Sequence, residues 1–503
     1  MRNDLAAANG LLERFEPLFS PRAIAVAGVS AKSVGQGNAF IRNLREAGYQ
    51  GAIYPIHPSE RTLEGLPAFS SLAETPTPVD YAFVAIGAAG VPALLRSGQG
   101  RVRFAQVMSS GFAHNVDGRD LAHELIDAVR AGGMRLLGPN CMGTCSPRGR
   151  MNFIGGGVDA PGSIGVMSQS GGLSIDILRQ GRYRGLRFSG VVSLGNCLDL
   201  GPNDLLEYFI ADPNTKVIGA YLEHVPDGRR FFEHLHRAQA AKPVVILKGG
   251  RSAQGQRAAA SHTGSLASDD QVWRAMARQT GTLMADTFEH FIDMLAAFQS
   301  DQPLVRPSGR VILFGNGGGA SVLAADCMAQ LGLEVPALQH ETIAALERLG
   351  VPPGASLGNP IDVPANILQR EQGALAQRIL STIAFHENPE AIVVHLNLPV
   401  ILGYRHLDML GDLMRATTEL RSQIASRSHL LLVLRSTGEP EFEERRSECT
   451  RMAMREGIPV FGQLSDAARA LAALHGHARF VDDRQTRTET KVRSCPSYHT
   501  IDT

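Results

Sequence analysis

The sequence predicts an α/β protein made of doubly wound parallel sheets, and three observations lead there. Apolar runs of strand length alternate with helical stretches through most of the chain, the pattern made when helices cross over between parallel strands. Several of those runs end in glycine- or serine-rich turns that open into a helix, which is where such sheets hold ligands. Apolar residues make up 44% of the 503, aromatics only 6%, and Gly numbers 53. Aliphatic cores joined by tight turns fit that balance.

In order along the chain, a first domain is expected over 18–145. Its strand candidates are Ala23–Val29, Ala52–Ile56, Val79–Ile86, Phe104–Met108 and Met134–Leu137, with helices such as Phe40–Ala47 and Leu121–Ala131 between them. A second domain is expected over 146–300, with strands at Ile164–Met167, Phe188–Ser193, Val217–Leu222 and Val244–Leu247. Asp301–Pro307 holds two prolines and reads as a linker. A third domain, 308–476, starts with a strand at Arg310–Phe314 and later offers Ala391–Leu396, Leu430–Leu434 and Pro459–Phe461. Residues 481–503 are polar without periodicity, so a disordered tail is expected there.

Charge and cysteine usage exclude several classes. Lys+Arg and Asp+Glu balance at 49 each, which leaves no basic footprint for nucleic acid. No apolar run approaches the ~20 residues that span a bilayer, and the opening Met1-Arg2-Asn3-Asp4-Leu5-Ala6 lacks the apolar core of a signal peptide. Cys141, Cys145, Cys197, Cys327, Cys449 and Cys495 are scattered, as in a reducing cytoplasm, the expected location. Cys141 and Cys145 have no second Cys/His pair at ligand spacing, so no metal site is expected.

The turns carry the chemistry. Gly28-Val29-Ser30-Ala31-Lys32 closes the first strand, with Gly35 and Gly37 following. Such a turn can offer amides and a helix dipole to phosphate, or it can simply shape the chain. Its spacing is not G-x-G-x-x-G, and His57-Pro58-Ser59 follows the second strand where an NAD site usually has an acid. Coenzyme A, with its 3′-phosphate, therefore fits better than NAD, with Lys32 and Arg61 as phosphate partners. Ser109-Ser110-Gly111 and Gly138-Pro139-Asn140-Cys141 end two further strands and could line the same crevice.

Ser168-Gln169-Ser170-Gly171-Gly172 follows the strand at Ile164–Met167 and precedes a helix over Leu173–Gln180. It reads equally as a serine N-cap and as a cradle for a phosphoryl group. His262 lies in the small-residue tract Ser261-His262-Thr263-Gly264, which suits a loop. A neutral imidazole accepts a phosphoryl group near pH 7. Glu223, at the end of Val217–Leu222, could orient that ring or be an exposed loop acid. Ser193-Leu194-Gly195-Asn196 ends another strand of the second domain, and Gly315-Asn316-Gly317-Gly318-Gly319 ends the first strand of the third.

Taken together, Leu136–Cys141, Val166–Gly171, Ser193–Asn196, Tyr221–Glu223, Leu247–Arg251 and Ser261–Gly264 resemble one family in this order. It is that of the nucleoside-diphosphate-forming acyl-CoA synthetases, relatives of succinyl-CoA synthetase, and specifically the α subunits of ADP-forming acetate–CoA ligases. The resemblance runs from about Leu18 to His475. It implies a Rossmann-like CoA-binding domain followed by two flavodoxin-like domains, and the interconversion of acid, CoA and ATP with acyl-CoA, ADP and phosphate. His262 would be the phosphohistidine, Glu223 the acid that steadies it, and Ser168, Ser170, Gly171, Gly172 and Asn140 the phosphate site. Gly28, Ser30, Lys32, Arg61, Ser109 and Gly111 would hold CoA.

The family's ATP-grasp module, which would bring ATP or ADP and Mg²⁺, has no counterpart stretch in this sequence. A separate ATP-grasp β subunit and an α/β hetero-oligomer are therefore expected. Departures from the family pattern are His57-Pro58-Ser59 for Asn-Pro-Lys, His224 for glycine and Cys197 for lysine. Two rivals remain: a CoA-binding scaffold that keeps the fold without turnover, and a nicotinamide-dependent dehydrogenase, which the glycine spacing disfavours.

Overall fold

The computed structural model describes residues 2–112, 116–263, 269–300, 306–351, 355–368, 370–404, 408–424 and 427–493. The chain divides into two compact units: Met1–Arg182 with Leu186–Thr287, and Tyr183–Gly185 with Phe288–Thr503. Among the described residues no helix is long and apolar enough to cross a membrane.

The first unit holds two sheets. The first sheet takes β1 (Ala23–Ala27), β2 (Ala52–Ile56), β5 (Val79–Val84), β6 (Val102–Val107) and β7 (Arg135–Leu137) in the order β2-β1-β5-β6-β7. All four pairings are parallel. A small hairpin, β3 (Thr62–Leu63) with β4 (Leu66–Pro67), stands apart. The second sheet takes β8 (Gly143–Cys145), β9 (Ile164–Ser168), β10 (Phe188–Ser193), β11 (Val217–Leu222), β12 (Val244–Lys248) and β13 (Leu283–Ala285), in the order β13-β12-β11-β9-β10-β8. Strands β1, β5, β9 and β10 are buried along their whole length, which is why they read as continuous apolar runs rather than alternating ones.

Among the described residues, nine α-helices accompany these sheets: α1 (Arg2–Phe19), α2 (Gln36–Glu46), α3 (Val91–Ser97), α4 (Val116–Gly132), α5 (Gly171–Tyr183), α6 (Pro202–Ala211), α7 (Gly228–Ala238), α8 (Ala253–Thr263) and α9 (Asp270–Thr280). The sequence reading did not anticipate α1. Its Phe19 ring stacks on Tyr208 of α6 at 4.4 Å between centroids, and Phe15 packs on Tyr208 at 5.2 Å. These rings join the apolar cluster that runs beneath both sheets of the unit, including Ile24, Met167 and Ile218.

The second unit carries the order β15-β14-β16-β17-β18, from β14 (Val311–Gly315), β15 (Ile361–Asp362), β16 (Ala391–Asn397), β17 (His429–Arg435) and β18 (Val460–Phe461). All pairings are parallel.

At three places the structure runs across an expected boundary. Strand β8 pairs antiparallel with β10, so Gly143–Cys145 belongs to the second sheet although the first domain was expected to end at 145. A three-residue Gly-Thr-Cys edge strand carries too little pattern to reveal this. The helix Phe288–Gln299 groups with the second unit, not with the second sheet. Its Ala297 joins the cluster of Val311 and Leu471, because its apolar face covers that unit's sheet. The C-terminal helix Leu464–Arg493 runs past Val481, where a disordered tail was expected. No Gly or Pro interrupts 481–493, so nothing in that stretch breaks the helix. Residues 494–503 of that expected tail lie outside the described residues.

Candidate active site of the first unit

In the first sheet the chain reverses direction of winding between β1 and β5, which opens a crevice at their carboxyl ends. The turn leaving β1 is built for close approach. Gly28 has φ of 94°, and a methyl there would stand 2.3 Å from the Ala85 carbonyl oxygen. A methyl on Gly37, at the start of α2, would stand 2.7 Å from Gly28. Between them, Asn38 is 3% exposed and threads the turn together. Its Oδ1 accepts from Ser30 N (2.9 Å) and Gly35 N (3.1 Å), while its Nδ2 donates to Ser30 O (2.9 Å) and Glu64 Oε1 (2.7 Å). Hydrogen bonds from Arg42 and Asn38 hold the Glu64 carboxyl below the usual carboxylate range.

Ser30 Oγ accepts from Lys32 N (3.1 Å) and Ser33 N (3.2 Å), leaving the Lys32 side chain exposed. The first turn of α2 contains no acid, and Glu64 behind Asn38 is paired with Arg42 at 2.9 Å. Arg61 is exposed, and its charge acts on Glu74, whose carboxyl is lowered mainly by Ser70. Among the described residues no hydrogen bond joins Arg61 to the Gly28–Lys32 turn. His57 stabilises the turn after β2 instead, its Nδ1 accepting from Ser59 N (3.3 Å) and Glu60 N (3.1 Å). Ser109 Oγ donates to Ile86 O, Ser109 O accepts from Asn140 N at 3.1 Å, and Gly111 has φ of 107°. The ends of β5, β6 and β7 are thereby tied.

In the second sheet the same reversal falls between β9 and β11. Ser168 closes β9; its Oγ donates to Ser170 O (2.9 Å) and accepts from Ser170 N (3.2 Å). Ser170 Oγ accepts from Leu173 N at 3.2 Å. Gly171 and Gly172 form the first turn of α5, where a helix supplies its own amides with no partner. The amides and dipole at this helix start suit an anion, while the buried Ser168 hydroxyl is held within the turn itself. On the adjacent strand end lies Glu223, only 8% exposed, with Oε1 accepting from the Tyr221 phenol at 3.0 Å. Burial pushes the Tyr221 phenol up, so it stays a donor to the carboxylate.

Lys248, at the end of β12 and 4% exposed, donates to Glu223 O at 3.0 Å and to Gly249 O. Its ammonium sits 5.5 Å from the Trp273 ring centroid. Burial pulls the Lys248 ammonium down, against the pull of Glu223. A methyl on Gly249 would stand 2.7 Å from the Tyr221 hydroxyl, so glycine there lets β11 and β12 end side by side.

The segment carrying His262 leaves from this corner. Arg251 pairs with Asp270 and with Asp286, each at 2.8 Å, and so fixes the start of α9 beside the approach to α8. Asp269 caps α9 by accepting from Gln271 N at 2.8 Å. Helix α8 runs to Thr263, so the backbone at His262 is helical where a loop was expected. The run Arg257-Ala258-Ala259-Ala260 has high helix propensity, and no Gly or Pro stands between Gly255 and Gly264. The side chain of His262, and residues 264–268, lie outside the described residues.

The structure therefore brings Ser168, Ser170, Gly171, Gly172 and Glu223 to one switch point. Asn140 is exposed on the loop after β7, with φ of 60°, and its Nδ2 reaches Asn196 Oδ1 at 3.3 Å. Backbone bonds Asn196 N to Pro139 O (2.9 Å) and Leu198 N to Gly138 O (3.1 Å) join that loop to the turn after β10. Sequence reasoning missed Asn38, Gln169, Tyr221 and Lys248. Gln169, Tyr221 and Lys248 fall in stretches that the sequence singles out without giving them a role, and Asn38 is the third residue of α2, bonded to Gly35 N. Among the described residues no three His, Cys, Asp or Glu side chains are grouped to hold a metal ion.

Comparison with known proteins fits this architecture. Residues 22–147 match the family model described as CoA binding domain, and residues 161–298 match that of the succinyl-CoA ligase like flavodoxin domain. The chain is 33% identical over 470 residues to the ADP-forming acetate–CoA ligase I subunit alpha of Pyrococcus furiosus, covering 92% of this chain and 97% of that one. It is 36% identical over 352 residues to an ADP-forming acetate–CoA ligase I of Archaeoglobus fulgidus, covering 69% of this chain but 50% of that one. A solved acetyl-coenzyme A synthetase 1 of Ca. Korarchaeum cryptofilum, in complex with phosphate and ADP, superposes with a TM-score of 0.80 at 30% identity, covering 94% of this chain and 98% of that one. The chain belongs to the ADP-forming acyl-CoA synthetases, a family of acid–thiol ligases, and corresponds over nearly its whole length to their separate α subunits.

Proposed function

We propose that this chain is the α subunit of a cytoplasmic ADP-forming acyl-CoA synthetase, with His262 as the residue that carries the phosphoryl group. The carrying observation is the second switch point, where an anion cradle (Ser168, Ser170, Gly171, Gly172) and the buried acid Glu223 end adjacent strands. Coenzyme A lies along the Gly28–Lys32 turn, with Ser109 and Gly111 at its rim. Lys32 is the phosphate partner there, and Arg61 reaches the nucleotide end only by turning from Glu74.

In the thioester-consuming direction, phosphate oxygen attacks the acyl carbon, the C–S bond breaks, and CoA leaves as the thiol. The imidazole of His262 then attacks phosphorus of the acyl phosphate. The P–O bond to the acyl group breaks and the free carboxylate departs. ADP finally accepts the phosphoryl group, giving ATP and restoring the imidazole. Glu223 holds the ring proton and offsets the positive charge that the imidazole gains. Asn140 and the amides of Gly171 and Gly172 neutralise charge on the transferring oxygens.

The last transfer needs a nucleotide site. Relatives named as alpha subunits match this chain almost end to end, whereas it spans about half of the undivided Archaeoglobus enzyme. Their being named alpha subunits supports a partner subunit, in this reading an ATP-grasp β chain acting in trans, with Mg²⁺ arriving on the nucleotide and held mainly by that partner. The acyl group is a small carboxylic acid.

The test is labelling of the purified chain with radioactive phosphate plus each of a panel of acyl-CoAs. Acid-labile, alkali-stable label in the wild type, absent from His262→Ala and reduced at least about tenfold in Glu223→Gln, is expected. Label that persists in His262→Ala, or none even with an ATP-grasp partner present, refutes the proposal and favours a CoA-binding scaffold.

A further inference from the structure

Between the two serines of the phosphate turn stands Gln169, to which the chemistry above gives no task. Its side chain faces away from the cradle and across to the next strand. Oε1 accepts from Glu223 N at 2.6 Å and from His224 N at 2.9 Å. Nε2 donates to His224 O at 2.8 Å and reaches Cys197 Sγ at 3.5 Å. The main-chain amide of Gln169 donates to Tyr221 O at 3.1 Å. One carboxamide thus satisfies two successive amides and one carbonyl at the end of β11, and touches the turn after β10.

We infer that Gln169 is a positioning residue for the phosphoryl-transfer step: its carboxamide locks the Glu223–His224 turn onto the phosphate turn. The inference rests on the reading of Glu223 as the acid that steadies the imidazole. Lys248 holds the carbonyl of Glu223 from the other side, and Tyr221 holds its carboxylate. Gln169 alone among these partners is also part of the phosphate turn, so it sets the distance between the acid and the cradle. The residue type is demanded by the pattern. Glutamate would keep the acceptor, lose the donor and add a second carboxylate beside Glu223. Methionine would keep the length and lose both functions. Electrostatic assistance depends on donors and charges being fixed before the reaction, so a freed turn costs rate while leaving the groups themselves in place.

The test compares wild type, Gln169→Met, Glu223→Gln and the double variant, each as the full chain. The rate of His262 labelling from radioactive phosphate and acyl-CoA is one readout. Amide exchange over 222–225 is the other, and it needs no turnover. Gln169→Met is expected to slow labelling about tenfold, with KM for acyl-CoA within about twofold of wild type, because the CoA turns lie on the first sheet. On the Glu223→Gln background the same change should cost less than about twofold, since Gln169 acts through the acid. Exchange at Glu223 and His224 should rise at least about tenfold.

A tenfold loss in both backgrounds, or protection unchanged from wild type, overturns the inference. A labelled wild type with an equally fast Gln169→Met variant overturns it while leaving the functional reading intact. An unlabelled wild type instead overturns the functional reading, and with it the catalytic part of this one, while exchange still reports whether the clamp exists.

Discussion

Gly28→Ala should damage the first unit in a way that a neighbouring glycine can calibrate. Gly28 has φ of 94°, and the added methyl would lie 2.3 Å from Ala85 O and 2.8 Å from Ala85 C, both main-chain atoms. Gly48, just past the end of α2, has φ of 76° with nothing within 4 Å of its methyl position. Gly48→Ala therefore costs only the left-handed backbone, about 1–2 kcal/mol. Gly28→Ala costs that and the displacement of β5 from β1, about 1–3 kcal/mol more by analogy with overpacked cores. The displaced turn is also the one proposed to face CoA. Calorimetry and CoA titration on wild type and both variants separate the terms. Gly48→Ala should lower stability without changing CoA affinity. Gly28→Ala should lower stability further and weaken CoA about tenfold or more, a change of at least about 1.4 kcal/mol. Equal stability loss and equal CoA affinity in the two variants would show that close approach at Ala85 plays no part, and the reasoning would fall.

Two further outcomes follow from buried polar groups. In the second unit, burial pushes His395 and His429 down to about 4 from the ordinary 6.5. Each stays neutral when folded but takes a proton when unfolded, so stability is full above pH 6.5 and is lost as pH falls from 6.5 toward 4. The loss amounts to roughly 3 kcal/mol for each ring. His429→Leu should flatten the pH dependence of the second unit's unfolding across that window, and an unchanged slope would count against it. In the first unit, Asn38→Asp keeps the acceptor for Ser30 N and Gly35 N but sets a carboxylate against Glu64, now 2.7 Å from Nδ2. It should destabilise the unit by about 2–4 kcal/mol at pH 7 and by less at pH 5. Thermal melts at the two pH values check this, and a melt independent of pH would argue that Glu64 swings away.

What could be read from the sequence follows from what burial does to it. Strands such as Val79–Val84 and Phe188–Ser193 are covered on both faces, so their apolar runs are continuous and their presence is plain. The strands β8, β13 and β15 are two or three residues long, too short to carry a period. Site residues legible beforehand were those whose role is local: Ser168, Ser170 and the glycines of a strand-to-helix turn. Glu223 was visible only as an acid ending a strand, and family resemblance chose between its two readings. The roles of Gln169 and Asn38 were not legible because decisive partners lie far along the chain: Glu223 lies 54 residues from Gln169, and Glu64 lies 26 from Asn38. A hydrogen bond of that kind leaves no trace in composition or spacing.

The three sheets share one device, a reversal of winding with a small-residue turn at its mouth, and they differ in charge. At the first, the turn meets Ala85-Ile86-Gly87 on the facing strand end, with Lys32 exposed beside it. An anion resting there meets no opposing carboxylate on the facing strand. At the second, the facing strand end supplies Glu223, buried and hydrogen-bonded, next to amides that favour an anion. A carboxylate and a bound phosphate repel each other, and at low dielectric the repulsion is severe. Lys248, beside Glu223, offsets part of that repulsion, and in the proposed reaction a ring that becomes positive would offset more. An imidazole that gains a phosphoryl group does so: it presents phosphorus to the amides and its charged ring to the acid. His262, proposed for that part, lies on the helix that follows the neighbouring strand β12. In the proposed reaction, then, Glu223 and Ser168–Gly172 would stand on opposite sides of the phosphorylated ring. Replacing Glu223 by lysine should convert the site into a plain phosphate trap, with tighter phosphate binding and no transfer.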